Sequence, residues 1–147
     1  MVNAHPLTAA QRELWLGLEL DAGAAASAVF GHCMVLKGTL DAGRFQQAIV
    51  AALERHPSLC GHFSDDGSQW LDGQPPPCPL IDLRSGGDSN AQIATLMAQP
   101  FLLTQGPLLR MALLRLADNE HHWLRVWHEA ASDETSEAQQ RHAQQCA

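Results

Sequence analysis

The residues best equipped for chemistry stand together at the end of an apolar run: Trp127-His128-Glu129-Ala130-Ala131-Ser132-Asp133-Glu134. Imidazole and carboxylate groups this close suggest proton transfer or metal binding. Glu129 would serve as a general base toward an amine or water if burial raised its pKa toward neutrality. Its plainer reading is a solvated residue at a strand end. A metal set of His121, His122, His128 and Asp133 is disfavoured by geometry. In a strand, His122 and His128 share a face but stand about 20 Å apart at about 3.3 Å per residue. His128-Glu129 opens like the zincin pattern H-E-x-x-H, yet the fifth position is Ser132. Neither Ser132 nor Cys60 has a nucleophile elbow or an evident base. Gly86-Gly87 lacks the rest of a phosphate loop and reads as a turn. The expectation is no bound metal and no nucleotide cofactor.

Positioning these groups falls to a series of short helices and strands. Thr8 is placed to cap a helix continuing over Arg12 to Leu20, with Leu7, Leu14, Trp15 and Leu18 on one stripe. Val29 to Leu36 reads as a strand. Asp41 caps a second helix, with Phe45, Ile49 and Leu53 at helical spacing, which ends before Pro57. Leu59 to Phe63 and Gln69 to Leu71 flank an Asp66-Gly67 turn and form a hairpin. Leu80 to Leu83 is a short strand, and Ser89 caps a helix to about Gln99. Leu108 to Leu116 turns through Asp118-Asn119-Glu120 and returns as His121 to His128. A polar, helix-tolerant stretch, Glu137 to Cys146, follows. This α-β-α-β-β-α-β-β order predicts an α+β two-layer sandwich, with strand directions undetermined. Its core should draw on Leu14, Trp15, Phe45, Ile49, Leu53, Phe63, Leu109, Leu113, Leu124 and Val126. Trp70, Trp123 and Trp127 belong to the core or to a sheet face.

A chain of 147 residues fits one domain with a real core, spanning 1–147. The net charge of −7 argues against nucleic acid or an anionic membrane as partner, since both want a basic face. No apolar run is long enough to span a bilayer, and Met1 to Gln11 has no secretory pattern. A cytoplasmic location is expected. The four cysteines, Cys33, Cys60, Cys78 and Cys146, lack zinc-type spacing and read as incidental thiols.

Three segments together resemble one family. Leu7-Thr8-Ala9-Ala10-Gln11-Arg12-Glu13-Leu14-Trp15 resembles the opening motif of nonribosomal peptide synthetase condensation domains. Arg55-His56-Pro57-Ser58-Leu59-Cys60-Gly61-His62-Phe63 is similar to their second motif. Pro100-Phe101 and Gly106-Pro107-Leu108-Leu109-Arg110 resemble the segment before the active-site strand. The third motif, H-H-x-x-x-D-G, then falls on His128 to Glu134.

The resemblance implies a fold like one lobe of chloramphenicol acetyltransferase. In the family two lobes enclose a tunnel. Carrier proteins bring a donor acyl thioester on phosphopantetheine from one side and an acceptor amine from the other. The second histidine helps the amine attack, and the aspartate is structural and pairs with an arginine. Carried over, His128 takes the first, more structural histidine position, Glu129 the catalytic one, and Asp133 keeps the aspartate. Glu134 replaces the glycine, Thr135 an aromatic, Pro57 an acid and Cys60 an arginine. The resemblance thus implies a truncated, half-length module whose catalytic motif is degenerate. Domain packing or recognition of a carrier protein, a neighbouring synthetase domain or a second copy is its expected role. The alternative is an active condensation or acyltransfer enzyme, completed by a second lobe and using Glu129 or His128 as base. A remnant without separate function is the third reading. With the second lobe missing, Trp127 and its apolar neighbours would form an exposed patch suited to a partner.

Overall fold

The computed structural model describes residues 4–21 and 28–131. Two sheets organise them, one of three strands and one of four. The smaller has the order β1-β4-β3, formed by β1 (Ala4–Pro6), β3 (His62–Phe63) and β4 (Ser68–Trp70). The larger has the order β2-β7-β6-β5, formed by β2 (Val29–Lys37), β5 (Leu80–Asp82), β6 (Leu109–Ala117) and β7 (Glu120–His128). Every pairing is antiparallel except β5 with β6, where Leu80 faces Leu113. A parallel pair needs a crossover connection, and the helix α3 (Ser89–Ala98) supplies it.

The expected mixed lobe of helices and sheet is what the structure shows. β6 explains how it is layered. Leu109, Met111 and Leu113 are buried on one face, and Ala112 and Leu114 on the other. A strand buried on both faces reads as a continuous apolar run rather than an alternation. The helix α2 (Ala42–Leu53) covers the first face through Phe45, Ile49 and Leu53. Helix α3 covers the second, with Ile93 and Leu96 against Ala112, Leu114 and Leu124. Gly31 of β2 leaves room for Met97 of α3, whose sulfur would collide with any β-carbon there.

Local capping fixes the helices. The Asp41 side chain accepts from the Arg44 amide at 3.0 Å. The helix α1 (Ala9–Leu20) starts with a reciprocal capping box between Thr8 and Gln11. On α3 the cap is Asp88, which accepts from the Asn90 amide at 2.9 Å, and Ser89 is already helical. The sequence expectation placed the cap one residue late, because both side chains can cap.

Of the expected core, Ile49, Leu53, Phe63, Leu109, Leu113, Leu124 and Val126 are buried. Leu14, Trp15 and Phe45 are only half-buried and line the clusters rather than filling them. For Leu14 and Trp15 the reason is position. Helix α1 lies over Phe63 and Leu108 with one face only, leaving Leu20 88% exposed. No helix among the described residues is long and apolar enough to cross a membrane. The stretch Glu137 to Cys146 lies outside the described residues.

Candidate functional site

The chemistry-bearing segment begins where β7 ends. His128 is 1% exposed, and its own amide donates to the Leu108 carbonyl at 3.0 Å. The Ala130 amide donates to His128 Nδ1 at 3.1 Å. That bond makes Nδ1 the acceptor and leaves the ring proton on Nε2. Nε2 is buried and has no hydrogen-bond partner among the described residues. Burial pushes the His128 pKa down to about 4, so the ring is neutral near pH 7.

The segment before β6 holds this ring. Phe101 meets His128 edge-on, with centroids 6.1 Å apart. The Arg110 guanidinium lies 3.9 Å from the Phe101 centroid. Arg110 also donates to the Gln99 carbonyl at 2.6 Å and to the Pro100 carbonyl. The Pro-Phe and Leu-Leu-Arg elements, separate in sequence, therefore act as one brace against His128.

Glu129 opens a one-turn 3-10 helix, Glu129–Ala131. Its amide donates to the Ala28 carbonyl at 2.7 Å, which ties it to the start of β2, and the residue is half-buried. Ala130 and Ala131 are buried against Phe63 and Leu108. Gln11 of α1 reaches this turn, with Nε2 donating to the Ala130 carbonyl and to Gln69 Oε1, both at 3.3 Å. The opening motif thus touches the third motif directly, a link that sequence spacing did not reveal. Asp133 and Ser132 lie outside the described residues.

The other candidates are dispersed. Cys60 is buried among Ile49, Leu53 and Leu113, and burial pushes its thiol pKa up. An apolar thiol therefore occupies the position where the resemblance places an arginine. His121 is 2% exposed on the α2 face, whereas His122 points to the α3 face and meets Glu120 at 3.2 Å. No three His, Cys, Asp or Glu side chains converge among the described residues. One pairing escaped sequence reasoning altogether: Arg125 Nη2 lies 2.7 Å from His32 Nδ1 across β7 and β2. A charged residue between the apolar pairs Trp123-Leu124 and Val126-Trp127 was its available signal.

A lobe of this topology, with a histidine braced at the end of its central strand, defines a class. The family model described as Condensation domain matches residues 1–137, and the chain belongs to that family. Chondramide synthase cmdD of Chondromyces crocatus is 34% identical over 138 residues, covering 87% of this chain and 4% of the synthase. Enterobactin synthase component F of Escherichia coli O157:H7 is 31% identical over 140 residues, covering 87% of this chain and 11% of that protein. A mutant of the starter condensation domain of rhizomide synthetase superposes with a TM-score of 0.81 at 27% identity, covering 92% of this chain and 35% of that one. The chain thus spans about a third of the matched domain and a small part of the multidomain relatives.

Proposed function

We propose that this lobe is a recognition and packing module of a nonribosomal peptide synthetase and does not itself form amide bonds. The observation that carries the reading is the carboxylate of Glu129 at the end of β7, where the family motif has its catalytic imidazole. A carboxylate with a reference pKa of about 4.3 is a weak base near pH 7, whereas an imidazole at about 6.5 is matched to the task. The neighbouring His128 does not substitute for it. Its Nδ1 is engaged by the Ala130 amide, and its ring is fully enclosed. The same geometry suits a scaffold that keeps the turn in shape for a partner.

The family's chemistry remains the second reading. A double mutant of the rhizomide starter condensation domain has been captured in complex with C8-CoA and Leu-SNAC. Glu129 is half-buried, the partial enclosure that this second reading needs.

Two measurements separate these readings. A carrier protein bearing phosphopantetheine is titrated calorimetrically, and acyl transfer between carrier-bound substrates is assayed. Saturable binding without turnover supports recognition. Turnover that Glu129→Gln abolishes supports the enzyme. Neither binding nor turnover points to a remnant.

A further inference from the structure

Three directly opposed residue pairs of β2 and β7 lie on the α2 side of the larger sheet: Phe30 with Trp127, His32 with Arg125, and Met34 with Trp123. The Phe30 and Trp127 rings stack with centroids 6.2 Å apart. The Arg125 guanidinium lies 4.5 Å from the Trp123 centroid, and its Nη2 meets His32 Nδ1 at 2.7 Å. A guanidinium cannot accept, so Arg125 donates and His32 is the neutral acceptor. Burial, aided by the adjacent cation, pushes the His32 pKa down and keeps it in that role.

Among the described residues the cation is left without an anion. Of the half-buried arginines, Arg115 meets Asp118 at 2.9 Å, and Arg110 is occupied by two carbonyls. Among the described residues Arg125 has the neutral imidazole and the Trp123 face and no carboxylate. Its Nε is buried with no hydrogen-bond partner among the described residues, and burial alone shifts its pKa, downward. Partly desolvated charges are ordinarily paired, because an unpaired one is costly.

We propose that Arg125, backed by His32, receives the carboxylate of an Asp or Glu side chain on a partner protein packed along the β2 edge of this face, beside the part that α2 covers through Phe45 on Trp123. This rests on the recognition reading above and names the contact through which it acts. The guanidinium fork matches a carboxylate in two parallel hydrogen bonds. Arginine flanked by tryptophan is the composition of energetic centres in protein interfaces, where neighbouring rings exclude water from a charge pair. Met34, 38% exposed on the same face, gives the patch an apolar border next to the outer edge of β2.

Arginine side-chain NMR on the whole chain tests the site with acetate as probe, against chloride at equal ionic strength. Acetate is expected to shift the Arg125 Nε and His32 ring signals along a saturable curve. Arg125→Gln should remove the His32 response, with an unchanged melting profile showing that the variant folds. A linear drift shared with chloride overturns the site. Saturation by inorganic phosphate but not by acetate overturns the carboxylate assignment. The carrier titration separates the two proposals. Acetate saturation without carrier binding retains the site and removes the carrier as its partner. Carrier binding that Arg125→Gln leaves unchanged, without acetate saturation, removes the site and retains recognition. Carrier binding weakened at least tenfold by Arg125→Gln supports both.

Discussion

Gln11 and Ala130 are 119 positions apart, yet the Gln11 side chain donates to the Ala130 carbonyl at 3.3 Å. The same amide group caps α1 through Thr8 and reaches Gln69. One side chain therefore fastens the first helix, the small sheet and the turn after His128. Gln11→Ala is expected to cost about 1–2 kcal/mol, the sum of a weakened cap and lost hydrogen bonds. Urea unfolding measures the cost. Faster exchange of the Ala130 amide, which bonds to His128, locates it. Unchanged exchange at Ala130 would show that the turn holds without Gln11.

Leu113 is 0% exposed and Ile49 is 7% exposed in the same cluster. Truncating either to Ala should cost about 2–5 kcal/mol, with the larger loss at Leu113 because its cavity is fully enclosed. Denaturant midpoints in the two variants compare them. Wild-type midpoints would contradict the assignment of this cluster as the main core.

The buried His128 makes stability depend on pH in one direction. Its imidazole titrates near 6.5 when unfolded and at about 4 when folded. Between those values the unfolded chain binds the extra proton, so stability falls as pH drops from about 6.5 toward about 4. His32 and His121 are shifted down as well and add to the same slope. His128→Asn, which keeps an acceptor near the Ala130 amide, should flatten the slope. Urea midpoints between pH 4 and pH 7 test it, and equal slopes in both proteins would refute it.

Removing a cation that meets no carboxylate among the described residues should not harm the fold. Arg125→Met keeps the length of the side chain while ending the partial burial of a guanidinium whose partners among the described residues are an imidazole and the Trp123 ring. The expected change runs from neutral to a gain of about 1–4 kcal/mol, as for other buried charges replaced by apolar groups. A loss of stability measured by thermal unfolding would mean that the Trp123 contact outweighs desolvation.

The 147-residue chain alone should form no amide from carrier-bound substrates. Glu129→His should not create turnover by itself, because an imidazole would stand in a lobe covering only 35% of the matched domain. Single-turnover assays of both proteins decide this. Product from Glu129→His would show that this lobe suffices or that its copies complete one another.

Much of the lobe was legible because its signals are local. The Thr8 and Asp41 caps and the Asp66-Gly67 turn appear where the sequence placed them, and the Leu108 to Leu116 run appears one residue later, as Leu109–Ala117. β1 was missed because three residues, Ala4–Pro6, carry no periodicity; they form a strand only through pairing with β4. The parallel pairing of β5 with β6 was equally invisible, being set by packing of α3 rather than by residue type. At the site, the motif pointed to His128 and Glu129, but composition could not show that Phe101 packs on His128, that Arg110 lies over Phe101 or that Gln11 reaches Ala130. Those contacts depend on tertiary distance, as does the Arg125–His32 pair.

The pairing of β2 with β7 also sets a schedule for synthesis. Cys33 faces Leu124, so β2 is made roughly 90 residues before the strand that completes it. At ribosomal speeds of about 5–20 residues per second, that interval lasts about 5–18 s. Throughout it, Phe30, Met34 and Val35 have no sheet to join, whereas β6 and β7 can zip together as soon as their two-residue turn is made. The nascent chain thus carries a sticky early strand waiting for a late hairpin. Slowed elongation after residue 37 should expose it longer and lower the yield of folded protein.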